Sequence, residues 1–264
     1  MSRVGVSTAC FYPESVFEAL KKVADAHTPV TEVFMNSFSE MTPQKLRELS
    51  EAAKNGGTEI ISFHPFLSAA EHMFFFSGYE PRVNDGIEIY KRFFEAAAIL
   101  GAKYFIFHGE KMQTRDDALS QLPEEKLLNV YGRLVSEAKA AGIMFTQENV
   151  TMFRSENTGL ISVLKNEFPD IGFALDIKQV LRAGKEISDM IDAMSGRIVQ
   201  VHLNNYSNGV CTLPLGGSAE AVRIYEKLRN LGYKGDYCIE VYRGNFSDAD
   251  ELFCEREKVS KLFK

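Results

Sequence analysis

Glu148, Asp176, His202 and Glu240 each stand at or near the end of a short apolar run, and the four runs follow one another along the chain. Residues 143–148 read IMFTQE, residues 171–176 IGFALD, residues 196–205 GRIVQVHLNN and residues 237–240 YCIE. Apolar, β-branched runs of this length read as buried strands. A single polar strand end usually marks a strand leaving the core for solvent, and a salt-bridge network is the plain alternative for a group of them. The ordered set of four is what points to chemistry. Three carboxylates gathered with one imidazole in a poorly solvated site repel one another and take up protons unless a cation compensates them. A single divalent ion does so. Oxygen-rich ligation with one nitrogen favours Mn²⁺, Mg²⁺ or Co²⁺, and Zn²⁺ is also compatible.

For these side chains to meet, the elements that carry them must deliver their ends to one place. Strand patterns occur at residues 4–8, 30–35, 60–63, 104–107, 143–146, 172–175, 196–205 and 237–241. Helical periodicity follows each strand, at residues 14–26, 42–55, 84–100, 123–141, 158–168, 185–194, 219–231 and from 247 to the end. Thr42-Pro43 supplies a cap and a first-turn proline for the second helix. Eight strand–helix units over 264 residues, about 33 residues each, predict a single-domain α/β chain, residues 1–264, folded as a closed parallel (β/α)₈ TIM barrel. No glycine-rich dinucleotide fingerprint follows the first strand, which argues against an open doubly wound sheet. All strand C-termini of such a barrel face one mouth, so the four residues would share it. His64 and His108 close the third and fourth strands and face the same way. Between His64 and the next helix, residues 65–79 are rich in aromatics and longer than a turn needs, which suits a lid, packing over the mouth or a subunit contact.

The remaining composition is ordinary. Apolar residues make up 45% and the net charge is −6, with acidic residues spread through the helices. A nonspecific nucleic-acid surface, which needs clustered Lys and Arg, is disfavoured. Cys10, Cys211, Cys238 and Cys254 show no CxxC spacing and read as reduced, mostly structural thiols. The start of the chain lacks the pattern of a signal peptide, and no apolar run approaches the ~20 residues that span a bilayer. The expectation is a cytoplasmic protein without a membrane segment.

The strand ends TQEN (146–149), LDIKQ (175–179), VHLNN (201–205) and IEVY (239–242) resemble those of the xylose-isomerase-like TIM barrel superfamily, the sugar phosphate isomerase/epimerase family, over essentially the whole chain. The resemblance implies one divalent metal held by Glu148, Asp176, His202 and Glu240. It further implies that Glu148 and Glu240 shuttle a proton while the cation stabilises the enediolate of a small sugar or related polyhydroxylated carbonyl compound. His64 and His108 match positions that contact substrate in the sugar enzymes and bind extra zinc in the endonuclease branch. Substrate contact is the expectation for both, and for Lys178 and Gln179.

Some positions depart from the family pattern. Gln179 stands where many members have histidine, residues 210–214 lack the Asp-x-His of the endonucleases, and Asn204 and Asn205 follow His202 where an acidic residue and an arginine are common. These departures demote a three-zinc apurinic endonuclease. An inosose-dehydratase-type lyase and a non-catalytic sugar-binding relative remain as alternatives to an isomerase or epimerase. Lys178 suits either an anionic substrate group or a carboxylate partner. Residues 216–218 suit a helix cap more than a phosphate cradle. The aromatics of residues 66–79 are consistent with a homodimer or homotetramer.

Overall fold

Eight parallel strands close on themselves in the order β1 (Val4–Ser7), β2 (Val30–Met35), β3 (Glu59–Pro65), β4 (Tyr104–Phe107), β5 (Met144–Glu148), β6 (Gly172–Asp176), β7 (Ile198–Leu203) and a last strand, β10 (Asp236–Ile239), which pairs back onto β1. The structure is a computed structural model and describes residues 2–112, 121–214 and 218–262. Helices α1 (Val16–Asp25), α2 (Pro43–Asn55), α3 (Glu71–Phe75), α4 (Glu80–Leu100), α5 (Glu124–Ala140), α6 (Thr158–Glu167), α7 (Ile177–Arg182), α8 (Ile187–Met194), α9 (Ala219–Asn230) and α10 (Ala249–Lys261) accompany the strands. A (β/α)₈ barrel is therefore the fold, as the strand–helix alternation predicts.

Local chemistry explains the boundaries. Ser15 and Glu18 form a reciprocal capping box at the start of α1, and Thr42 caps α2 ahead of Pro43. Ser218 accepts from the backbone N–H of Ala221 and so caps α9. Of the proposed phosphate cradle at residues 216–218, Gly216 and Gly217 lie outside the described residues.

Three features go beyond the predicted units. Asp176 both ends β6 and caps α7, its Oδ1 accepting from Gln179 N, so the chain turns into a helix at once. Strands β8 (Asn205–Ser207) and β9 (Val210–Thr212) form an antiparallel hairpin outside the barrel. Asn208 and Gly209 both have positive φ at its tip, an Asn-Gly pair of the kind that tight hairpins select. Third, the aromatic connection after His64 contains α3, and it packs rather than hangs free. Phe75 and Phe76 are buried, with Phe75 edge-on to Tyr90 at 4.8 Å, while Met73 and Tyr79 remain exposed.

The core around the barrel is unusually aromatic on the β3–β5 side. Phe63, Phe105, Phe107 and Phe145 project outward between the sheet and Tyr90, Phe93 and Phe94 of α4, with Phe94 and Phe105 at 4.7 Å edge-to-face. Among the described residues, no helix is long and apolar enough to cross a membrane. All four cysteines are free thiols; Cys254 is exposed and the other three are buried.

Candidate metal centre

Parallel pairing sets the geometry of the mouth. Asp176 on β6 is in register with His202 on β7, and His202 with Cys238 on β10, two residues before Glu240, which follows the strand directly. Glu148 ends β5 beside them. The structure thus brings Glu148, Asp176, His202 and Glu240 together: one ligand-capable atom from each lies within 4.8 Å of the others. Nδ1 of His202 is the focus, with Glu148 Oε1 at 3.1 Å, Glu240 Oε2 at 3.5 Å and Asp176 Oδ2 at 3.9 Å.

The carboxylates are oriented, not merely close. Asn204 Nδ2 and Gln179 N both donate to Oδ1 of Asp176, which leaves Oδ2 turned toward the mouth without a hydrogen bond. Asn149 holds the Asp176 backbone from the other side: its Nδ2 donates to Asp176 O and its Oδ1 accepts from Asp176 N. Oε2 of Glu148 likewise makes no well-directed hydrogen bond, although Nε2 of His108 is 2.8 Å away. Two buried carboxylate oxygens are thus aimed inward without a well-directed hydrogen bond, beside Lys178 and His108, and this donor set fits a divalent ion.

His64 and His108 stand on the neighbouring sector, their Nε2 atoms 2.9 Å apart, and with Glu148 they form a second group of ligand-capable side chains. His108 is placed by its own backbone. Glu71 of α3 accepts from the N–H groups of His108 and Gly109, and Nε2 of Gln147 donates to His108 O. Gly109 has φ of +94°, and a Cβ there would meet the Tyr131 hydroxyl at 2.9 Å, so this corner requires glycine.

Lys178 is buried, and its Nζ lies 3.3 Å from both Asp176 Oδ2 and Glu240 Oε2 and over the Tyr242 ring at 5.1 Å. The carboxylate partners are those of the site itself, and Lys178 also lines the cavity, so its pairing leaves the substrate expectation open. Gln179 lies lower on α7, its Oε1 accepting from Thr151 N.

Charge in the site is redistributed accordingly. Burial pushes Asp176 up to about 7, opposed by Lys178 and reinforced by Glu148 and Glu240. Burial also acts on Glu148, but His108, His202 and His64 outweigh it and hold the carboxyl well below its usual range. For His202, burial is overcome by Glu32, Glu240 and Glu148, which raise the imidazole well above its ordinary value.

A cavity of about 450 Å³ opens above this floor. Glu148, Glu240, Lys178, Gln179, His64 and His108 all reach it, and Tyr12, Phe34, Phe66 and Tyr242 give it aromatic walls. Lys178 is the one Lys or Arg among the described lining residues.

One buried acid at the site was not read from sequence. Glu32, in the middle of β2, has its Oε2 3.0 Å from Nε2 of His202 and is fully buried. The run VTEVFM gives little warning: five of the six residues of β2 are buried, so strand alternation does not separate an inward glutamate from an outward one. Its partners Ser7, Ser62 and Gln200 come from three other strands, and only closure of the barrel brings them to it.

A family model described as xylose isomerase-like TIM barrel matches residues 20–260. An uncharacterized protein of Methanocaldococcus jannaschii is 23% identical over 98% of this chain and 94% of its own length. Among solved structures, a D-tagatose 3-epimerase-like protein superposes with a TM-score of 0.77 at 19% identity, covering 99% of this chain and 97% of that one. A D-psicose 3-epimerase from Clostridium cellulolyticum H10 does so with a TM-score of 0.74 at 15% identity, covering 99% and 96%.

Proposed function

The chain belongs to the xylose isomerase-like TIM barrel family, and on that premise we propose that it is a divalent-metal-dependent isomerase or epimerase of a small sugar or related polyhydroxylated carbonyl compound. The observation that carries this reading is the convergence of Glu148, Asp176 and Glu240 on Nδ1 of His202, with two inward carboxylate oxygens that make no well-directed hydrogen bond, on the floor of a cavity of about 450 Å³. The epimerase titles among the superposed structures support the same class of substrate.

In this reading Glu148, Asp176, His202 and Glu240 hold the ion, with Mn²⁺, Mg²⁺ or Co²⁺ favoured and Zn²⁺ compatible. The bound ion supplies electrostatic stabilisation of the negative charge that develops when a C–H next to a carbonyl loses its proton. Glu148 and Glu240 take up and return that proton at a carboxylate oxygen, and both reach the cavity. His64, His108, Lys178 and Gln179 contact substrate hydroxyls, and the aromatic walls cover the apolar face of the ring. A cavity with one lysine, already engaged by two carboxylates, suits a neutral polyol better than a phosphodiester backbone. A cytoplasmic location belongs to the same reading. So does a homodimer or homotetramer, for which the exposed Met73 and Tyr79 would supply apolar contact.

Elemental analysis of protein purified after growth with each divalent metal tests the centre, together with Glu148→Gln and Glu240→Gln. One ion per chain is expected. Turnover of a panel of ketoses and aldoses, with products separated by chromatography, should give isomers of unchanged mass, and each variant should lose about 10²-fold to 10⁴-fold in kcat. A product one water lighter would assign a dehydratase instead. Protein that binds no metal under any supplementation would sink the proposal.

A further inference from the structure

Glu32 is a fully buried acid of the barrel interior that does not line the cavity, and it faces the far side of the His202 ring. It sits on β2 in register with Ser7 of β1 and Ser62 of β3. Ser7 Oγ donates to its Oε1 at 3.1 Å, and Ser62 Oγ and Gln200 Nε2 donate to its Oε2, each at 2.9 Å. The fourth neighbour is Nε2 of His202, at 3.0 Å. An ionised carboxylate only accepts, so a hydrogen bond from this side requires the hydrogen of the ring to be on Nε2. The other ring nitrogen, Nδ1, is within hydrogen-bond distance of Glu148 Oε1 at 3.1 Å and also faces Asp176 and Glu240, so a cation held among these carboxylates would replace the hydrogen at Nδ1 and leave the one at Nε2.

We propose that Glu32 is a positioning residue for the metal centre: it fixes His202 as the Nε2–H tautomer, locks the ring plane and presents the Nδ1 lone pair to the cation. The inference rests on the metal-dependent reading above and adds a residue to it. Two observations argue for more than filling of the core. Ser7, Ser62 and Gln200 are neutral donors that would serve a neutral acceptor as well, so a full charge at this depth is needed only by the imidazole. Its charge also lies on the side of the ring opposite the ligand carboxylates, where it increases the basicity of Nδ1 without occupying a coordination position.

The test uses metal-stripped full-length protein titrated with Mn²⁺ by calorimetry, in wild type, Glu32→Gln and Glu32→Asp, with circular dichroism to confirm folding. Glu32→Gln should bind Mn²⁺ about 10-fold to 100-fold more weakly, and Glu32→Asp, which keeps the charge, should lie between that variant and wild type. Nitrogen NMR of histidine-labelled, Zn²⁺-loaded wild type provides a readout that does not depend on how the variants fold. His202 should show a protonated Nε2 and a metal-bound Nδ1. Equal Mn²⁺ affinity in a folded Glu32→Gln, or coordination through Nε2, would overturn this inference and leave the metal centre standing. A wild type that binds neither ion would overturn the metal centre and this inference with it.

Discussion

Nζ of Lys178 stands 3.3 Å from Oδ2 of Asp176, so one carboxylate of the candidate centre already has a cation beside it. A fixed ammonium offsets part of the negative charge that would attract a divalent ion, and it faces Glu240 at the same distance. Replacing it by Lys178→Met removes the charge and keeps most of the volume. Mn²⁺ binding should tighten by about tenfold, or ~1.4 kcal/mol, and calorimetric titration measures it. Unchanged or weaker binding would show that Lys178 does not oppose the ion.

Loading the proposed centre should stabilise the fold, because its proposed ligands come from strands β5, β6, β7 and the end of β10 and the unfolded chain does not gather them. At a free ion concentration about 100 times Kd, the expected gain is about 2.7 kcal/mol. Asp176→Asn keeps the Oδ1 contacts to Asn204 and Gln179 and removes the charge, so it should lose most of that gain. Thermal melts of both proteins with Mn²⁺ and with chelator compare them directly.

Glu71 gives the stability a pH dependence. Burial pushes its carboxyl up to about 8, despite the N–H groups of Gly109 and His108 and the Tyr90 hydroxyl, whereas in the unfolded chain it titrates near ~4.3. Between those values the folded state holds a proton that the unfolded state has lost. Stability should therefore fall as pH rises from about 5 to about 8, by up to about 1.4 kcal/mol per pH unit from this group. Glu71→Gln should flatten that slope, as urea denaturation across the range will reveal.

Among the described glycines, Gly5 leaves the least room for a side chain. A Cβ added there would lie 2.1 Å from the carbonyl oxygen of Val30 on the neighbouring strand, and backbone cannot yield as a side chain can. Gly5→Ala should cost about 3 kcal/mol. A urea midpoint within error of wild type would contradict it.

Much of this molecule can be read from residue order alone. Strand periodicity, a helix cap such as Thr42 ahead of Pro43, and the repetition of eight units determine the barrel, because the preferences involved are local and the closed parallel sheet is their common solution. The same repetition makes the strand ends share a mouth, which is why Glu148, Asp176, His202 and Glu240 could be picked out as a set before their distances were known. The Asn208-Gly209 hairpin and the Asp176 cap of α7 were not read from sequence, although both rest on short-range turn and cap chemistry, because they lie outside the strand–helix repeat.

Tertiary structure decided what depends on groups far apart in the chain. Glu32 lies 170 positions from His202, and no periodicity relates them; the 3.0 Å contact exists only because the barrel closes. That the Lys178 ammonium meets two carboxylates of the site is a matter of rotamer and burial, with Asp176 and Glu240 both at 3.3 Å. The aromatic connection after His64 became packing because Tyr90 and Phe107 offer it a surface. Sequence fixes types and spacing, which set local conformation. Direction, register across the barrel and the field at each buried charge arise from the whole chain at once.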